Sequence, residues 1–284
     1  MTSFAKRNLM LFFKDRSAVF FSLLAVLIII GLYAVFLGDV WIEDLEAIKN
    51  AQFLMNSWLI SGLMAVTSVT TTMGAFGVMV EDHAKKINKD FYAAPLKKSG
   101  ITGGYILSAF LIGVIMSIVA FVISELYVAA NGGEFLQFEA VLKVTGLIFL
   151  TGMANTSLVC FIVSFFKSQS AFSTASTIIG TLIGFLTGIY LPIGSLPESV
   201  QLIIKVFPVS HAAALFRQTI METPMNTAFA DIPAQYLNEF KESMGVVYHF
   251  GNSTATPQFS IMILLGTAAV FFLLALLNIS RKRV

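Results

Sequence analysis

This sequence predicts an all-α membrane protein: six transmembrane helices, an N-terminal interfacial helix and an outer re-entrant helical hairpin before the last span. Three observations carry that class. Of 284 residues, 57% are hydrophobic and only 12% charged, with mean hydropathy +0.83; soluble domains average about 25% charged residues. Six apolar runs approach the roughly 20 residues that a helix needs to cross the hydrocarbon core. Lys and Arg gather at alternate ends of those runs, as the positive-inside rule describes.

The chain reads as a single transmembrane domain over 1–284. It begins with a stretch, Thr2 to Arg16, that mixes Phe4, Leu9, Met10, Leu11, Phe12 and Phe13 with Lys6, Arg7, Lys14 and Arg16. That mixture suits a helix at 1–16 lying in the inner interface, apolar face down. The plainer alternative is a positive flank that orients the first span. Spans are expected near Ser17–Leu37, Gln52–Val80, Gly104–Ala129, Val141–Phe166, Ala171–Leu191 and Phe259–Ile279. The first run lacks a small-residue cleavage site, so no cleavable signal peptide is expected.

Thirteen of the eighteen Lys and Arg residues fall in 1–16, in 81–103, at Lys167 or in 281–283. This excess predicts that both termini and the 81–103 loop are cytoplasmic; the expected location is a cell membrane, in a bacterium. The bases sit at span borders rather than on one polar face, so the net charge of +2 does not point to nucleic acid. Cys160 is the only cysteine, which excludes a disulfide within the chain and a cysteine-based metal site.

Residues 188–221 are too interrupted for an ordinary span. Pro192, Pro197 and Pro208 break them, and Ser195, Glu198 and Lys205 are scattered among Val200, Leu202, Ile203, Ile204, Val206 and Phe207. Each internal proline removes a helical hydrogen bond and clashes with the preceding turn. Broken helices at membrane depth survive only where protein or a water-filled cavity shelters the backbone. Two short helices are therefore expected, near Pro197–Val206 and Ser210–Met221, in an outer hairpin and extracellular loop over 192–257. Arg217 should face water or a carboxylate such as Glu125 or Glu222, because an unpaired charge in hydrocarbon is expensive. A further short helix is expected near Pro233–Met244.

Several in-span residues invite a functional reading. Gly180, Gly184 and Gly188 form overlapping GxxxG repeats that suit close helix packing, within one subunit or across a dimer. Glu125 is the only acidic residue well inside an expected span, a functional hypothesis by default; it also lies near the span's end, where it can reach the interface or pair with Arg217 or Lys143. Thr71 and Asn155 are candidates to line a path, against the plainer reading that such side chains bond their own helix. His83, His211 and His249 share no metal spacing. No GxxxxGK[ST] phosphate loop occurs in the sequence, so ATP hydrolysis by that route is excluded for this chain.

The order of these features resembles the ABC-2 family of ABC-exporter permeases. The resemblance rests on Gly188, Tyr190-Leu191-Pro192, Ser195-Leu196-Pro197, Pro208 and Arg217 before the last span. Glu81 followed by Pro95 in the 81–103 loop extends it. The family's usual Gly-Thr-Leu after the Glu is absent; Lys86-Ile87-Asn88 stands roughly there. The resemblance implies a membrane subunit working with separate nucleotide-binding ATPase subunits, which would hold ATP and Mg, and with a second permease subunit, identical or related. It implies that Glu81, Pro95, Leu96, Lys97 and Gly100 belong to an ATPase-coupling loop. The alternative for that loop is binding to anionic membrane lipid. It further implies that Pro192, Leu196, Pro197, Pro208 and Arg217 belong to an outer gate. An amphipathic or hydrophobic substrate such as a drug, antimicrobial peptide or lipid would leave the cell. The competing class is a secondary transporter or channel, which favours matched broken helices in both halves. Only the second half has one. An intramembrane enzyme would need a polar catalytic cluster at one depth, which the sequence does not suggest.

Overall fold

In the computed structural model of the chain, residues 1–33, 48–93, 98–251 and 253–281 are described. The chain opens with α1, Thr2–Lys14, and α2, Arg16–Leu32, bent 76° from each other. Asp15 makes the corner. Its backbone is extended, and its carboxylate accepts a 3.0 Å bond from the Ala18 amide, capping α2. On α1 the residues Ala5, Asn8 and Phe12 are buried at helical spacing. They form the stripe that docks this helix on protein.

The longest helix, α3 (Ala51–Ala84), is followed by the short α4 (Asn88–Ala93) and by α5 (Lys98–Ala130). At 1.5 Å per residue, the 34 residues of α3 reach about 51 Å, well beyond a bilayer core of about 30 Å. Glu81 is therefore a residue of the helix rather than the start of a loop. No Gly or Pro interrupts Glu81-Asp82-His83-Ala84, and the helix stops where Lys86 turns to φ +62°. In the same way α5 begins at Lys98, so Gly100 lies in its first turn. The connection expected over 81–103 thus shrinks to 85–97. Pro95, Leu96 and Lys97 fall outside the described residues, as do residues 34–37 of the first expected span.

Next come α6 (Phe138–Val163) and α7 (Gln169–Leu186). A 3-10 turn at Ile193–Ser195 leads into α8 (Glu198–Val206) and α9 (Pro208–Ile220), bent 85° from each other. Pro197 is the N-cap of α8, and Pro208 occupies the first turn of α9, where a missing N–H costs little. Two more short helices follow: α10 (Glu222–Ala228), and α11 (Ala234–Ser243) inside the expected 233–244 stretch. A two-residue hairpin pairs His249–Phe250 with Ser253–Thr254, and α12 (Pro257–Arg281) ends the described chain.

Among the described residues four helices, α3, α5, α6 and α12, are long and apolar enough to cross a membrane. The bent pairs α1–α2 and α8–α9 bring the number to six if each counts as one crossing. The expected fifth span corresponds to α7, which is not one of the four. It is 18 residues long and carries six Ser or Thr side chains. The central helix is α3, which packs against α2, α5, α6, α7 and α9. By contrast, α12 packs on α6 and α9 and leaves Met262, Leu273 and Leu277 exposed. An apolar surface this open needs a non-aqueous neighbour.

Candidate functional site

Two polar clusters lie at opposite ends of α3. At its Ala51 end the centre is Arg217, on α9, with no exposed surface at all. Its Nη2 donates to the carbonyl oxygens of Thr187 at 2.9 Å and Gly188 at 3.2 Å. Its Nη1 donates to the Gly245 carbonyl at 3.3 Å. The guanidinium carbon stands 5.2 Å from the centroid of the Trp58 ring on α3. Among the described residues its Nε atom has no partner.

Arg217 therefore corrects the expectation of water or a carboxylate. Among the described residues it makes no ion pair: Glu125 accepts from the Leu136 amide at 3.0 Å, and Lys143 pairs with Glu139. The charge is met instead by peptide dipoles. Thr187 and Gly188 end α7, where unpaired carbonyls carry the negative end of the helix dipole. The Trp58 face adds a cation–π contact. Gly188 and Gly245 both sit at φ +67°, which glycine tolerates best. At Gly245 a Cβ would stand 2.9 Å from Arg217 Nη1, so a side chain there would collide with the guanidinium.

The residues before α9 and around it are held by their own set of contacts. Ser195 donates to the Pro192 carbonyl at 2.7 Å, and Leu196 packs on a small cluster of Ile193, Ile204, Ala214, Tyr248 and Ala255. Tyr248 donates its hydroxyl to the Ser210 carbonyl at 3.1 Å. His211 bridges the Ser260 hydroxyl at 3.0 Å and the Lys205 carbonyl at 2.9 Å, tying α9 to α12 and to the end of α8. Leu202, Ile203 and Val206 of α8 remain exposed.

At the Ala84 end of α3 the centre is Asp82, which sequence reasoning passed over in favour of Glu81. Arg7 of α1 grips Asp82 with two parallel bonds of 2.7 and 3.0 Å. Tyr105 of α5 donates its hydroxyl to the same carboxylate at 2.5 Å. Asn8 reaches Ser108 of α5 at 3.3 Å. Arg7 also stacks on Phe91 of α4, 4.9 Å from its centroid. One buried carboxylate thus joins α1, α3 and α5, and its partner arginine reaches α4. Glu81 is exposed and pairs with Lys85 on its own helix. A signal existed: an acid near a helix C-terminus opposes the dipole and calls for a dedicated cation.

The other candidates are placed individually. Thr71 is buried and donates to the Thr67 carbonyl at 2.7 Å. Asn155 on α6 donates to Ser68 of α3 at 2.9 Å, a buried contact between helices. At Gly184 the Tyr190 ring folds back to within 2.2 Å of where a Cβ would be, whereas nothing approaches Gly180. Within this chain Gly184 and Gly188 meet the turn that follows α7, not a second helix. Among the described residues no group of His, Cys, Asp or Glu could hold a metal ion.

Long apolar helices around a buried α3, with clamped polar clusters at both ends, define a polytopic membrane protein. The chain belongs to the ABC-2 family of transporter proteins, whose family model matches residues 44–277. It is a membrane component of ABC transport, a system in which ATP hydrolysis is carried by a separate subunit. A segment of 98 residues is 28% identical to Nodulation protein J of Rhizobium meliloti (strain 1021). That match covers 34% of this chain and spans 37% of the relative's length.

Proposed function

We propose that this chain is the permease subunit of an ATP-driven exporter that moves an amphipathic or hydrophobic compound out of the cell. The observation that carries this reading is the bent α8–α9 pair held by Arg217 within the segment that matches the ABC-2 family. In this reading the pair forms the outer gate. The end bearing Asp82 and α4 faces the cytoplasm and receives the ATPase, and membrane lipid covers the exposed apolar helices. A second permease copy, identical or related, would meet the open side of α7, where Ile178, Leu182 and Phe185 are exposed beside Gly180.

The coupling segment gives the direct test. Leu96→Asp places a charge where an ATPase groove would receive an apolar side chain. The subunit should still insert, while co-purification of the ATPase and stimulation of its activity should be lost. A complex that survives the substitution would remove residues 95–100 from the coupling role. Orientation is tested separately. A cysteine introduced by Thr2→Cys should resist an impermeant thiol reagent in intact cells. One introduced by Thr254→Cys, at an exposed position in the hairpin, should react. The reverse pattern would invert the topology.

A further inference from the structure

Beside the Arg217 clamp lies a hollow of about 430 Å³, bordered by Pro192 of the expected gate and by Ser195. Its lining includes Met55 of α3 together with Phe229 and Met244, all three nearly inaccessible. The side chains of Phe240, Tyr236 and Glu239, from α11, also line it. Small-molecule sites commonly run from about 300 to 1,000 Å³, with apolar and aromatic walls and few polar groups. This hollow has that size and that chemistry.

The helix α11 is the unusual element here. It is ten residues long and buries none of them. Helices that short are marginal in water unless packing holds them. Tyr236 is 59% exposed and stands on the hollow. Phe240 of α11 already meets the Phe229 ring at 5.2 Å and Leu237 packs on the core, so a ligand in the hollow would add cover for Tyr236.

We propose that the hollow binds a small lipophilic cation. Among the described residues Glu239 is the only charged one that lines it. One carboxylate oxygen of Glu239 accepts from Gln235 Nε2 at 2.9 Å, which leaves the other free to face a cation. The Tyr236, Phe229 and Phe240 rings favour a positive charge over their faces. Met55 and Met244 supply a soft base that adapts to irregular apolar shapes. The base is wired to the clamp: the Met244 carbonyl accepts from Trp58 Nε1 at 2.9 Å, and the next carbonyl, Gly245, accepts from Arg217. The floor of the hollow is thus continuous with the backbone that holds the Arg217 guanidinium.

The placement on the outer side rests on the orientation proposed above; the binding itself does not. The test is accordingly made at equilibrium, without ATP or ATPase, on the full-length chain in lipid nanodiscs. Tetraphenylphosphonium and tetraphenylborate share a shape and differ in charge. Tetraphenylphosphonium should bind saturably, and more tightly than tetraphenylborate once binding to empty nanodiscs is subtracted. Glu239→Gln should weaken it by about threefold or more, the scale of one partly exposed charge contact. Phe240→Ala should weaken it further. Glu239 is exposed, so its substitution leaves folding intact, and an unchanged melting temperature verifies that. Equal affinity for the two ions, or unchanged binding in both variants, would overturn the proposal. So would the absence of saturable binding to the unmodified chain. Failure of export with binding intact would instead overturn the exporter reading alone.

Discussion

Arg217→Met is expected to lose transport and to lower the melting temperature of the subunit by roughly 5–10 °C. The side chain is fully buried, and its guanidinium serves carbonyls from two separate turns, at 187–188 and at 245. Hydrogen bonds to a charged group contribute about 1.5–3 kcal/mol each, and an orphaned buried acceptor costs about 1–3 kcal/mol. Loss of all three bonds should cost about 3 kcal/mol or more, even after the removed charge's own desolvation is credited. For a chain of this size each kcal/mol shifts the midpoint by about 2–4 °C. Arg217→Lys should recover only part of the loss, because an ammonium lacks the planar fork that spans two turns. A melting temperature within 2 °C of the parent, in about the same lipid, would show that α9 is held by packing alone.

Asp82→Ala is expected to release α1 from the bundle. It removes the acceptor of both Arg7 bonds and of the Tyr105 hydroxyl at once. Breaking a buried pair costs about 3–5 kcal/mol; because Arg7 is about a third exposed, the lower end applies. Asn8 is 1% exposed in the docked helix and reports on this directly. In a Cys160→Ser background, Asn8→Cys should react with a thiol reagent at least about tenfold faster once Asp82 is replaced. That factor corresponds to 1.4 kcal/mol of undocking. Asp82→Asn keeps one acceptor oxygen and should fall between. Unchanged labelling would assign the docking to Phe12 and its neighbours alone.

Where a helix begins was less legible than that it exists. The apolar runs marked α3, α5, α6 and α12, because roughly twenty apolar residues have few other uses. Their ends were missed where polar residues continue a helix past the apolar part, at Glu81–Ala84 and at Lys98–Gly103. At 81–84 helix propensity is ordinary and only hydropathy changes, whereas Gly100 and Gly103 make the start of α5 read as a loop, so the sequence reading stops short at both ends. The prolines were better guides: Pro197 and Pro208 start α8 and α9 within a residue or two of the expected positions.

Composition, the spacing of apolar runs and the three prolines by themselves determined the membrane class, the long helices and the broken segment before the last of them. Those features are local, and each residue's preference for lipid or water acts without knowledge of the rest of the chain. Only the tertiary structure decided which charge meets which partner. Arg217 could have sought Glu125, Glu222 or water; it found peptide carbonyls 30 and 29 positions upstream and 28 downstream. Arg7 found Asp82 across 75 residues while the adjacent Glu81 stayed in solvent. A buried charge is satisfied by whatever dipoles the packed helices bring within about 3 Å, and that proximity is set by how α3, α7 and α9 assemble.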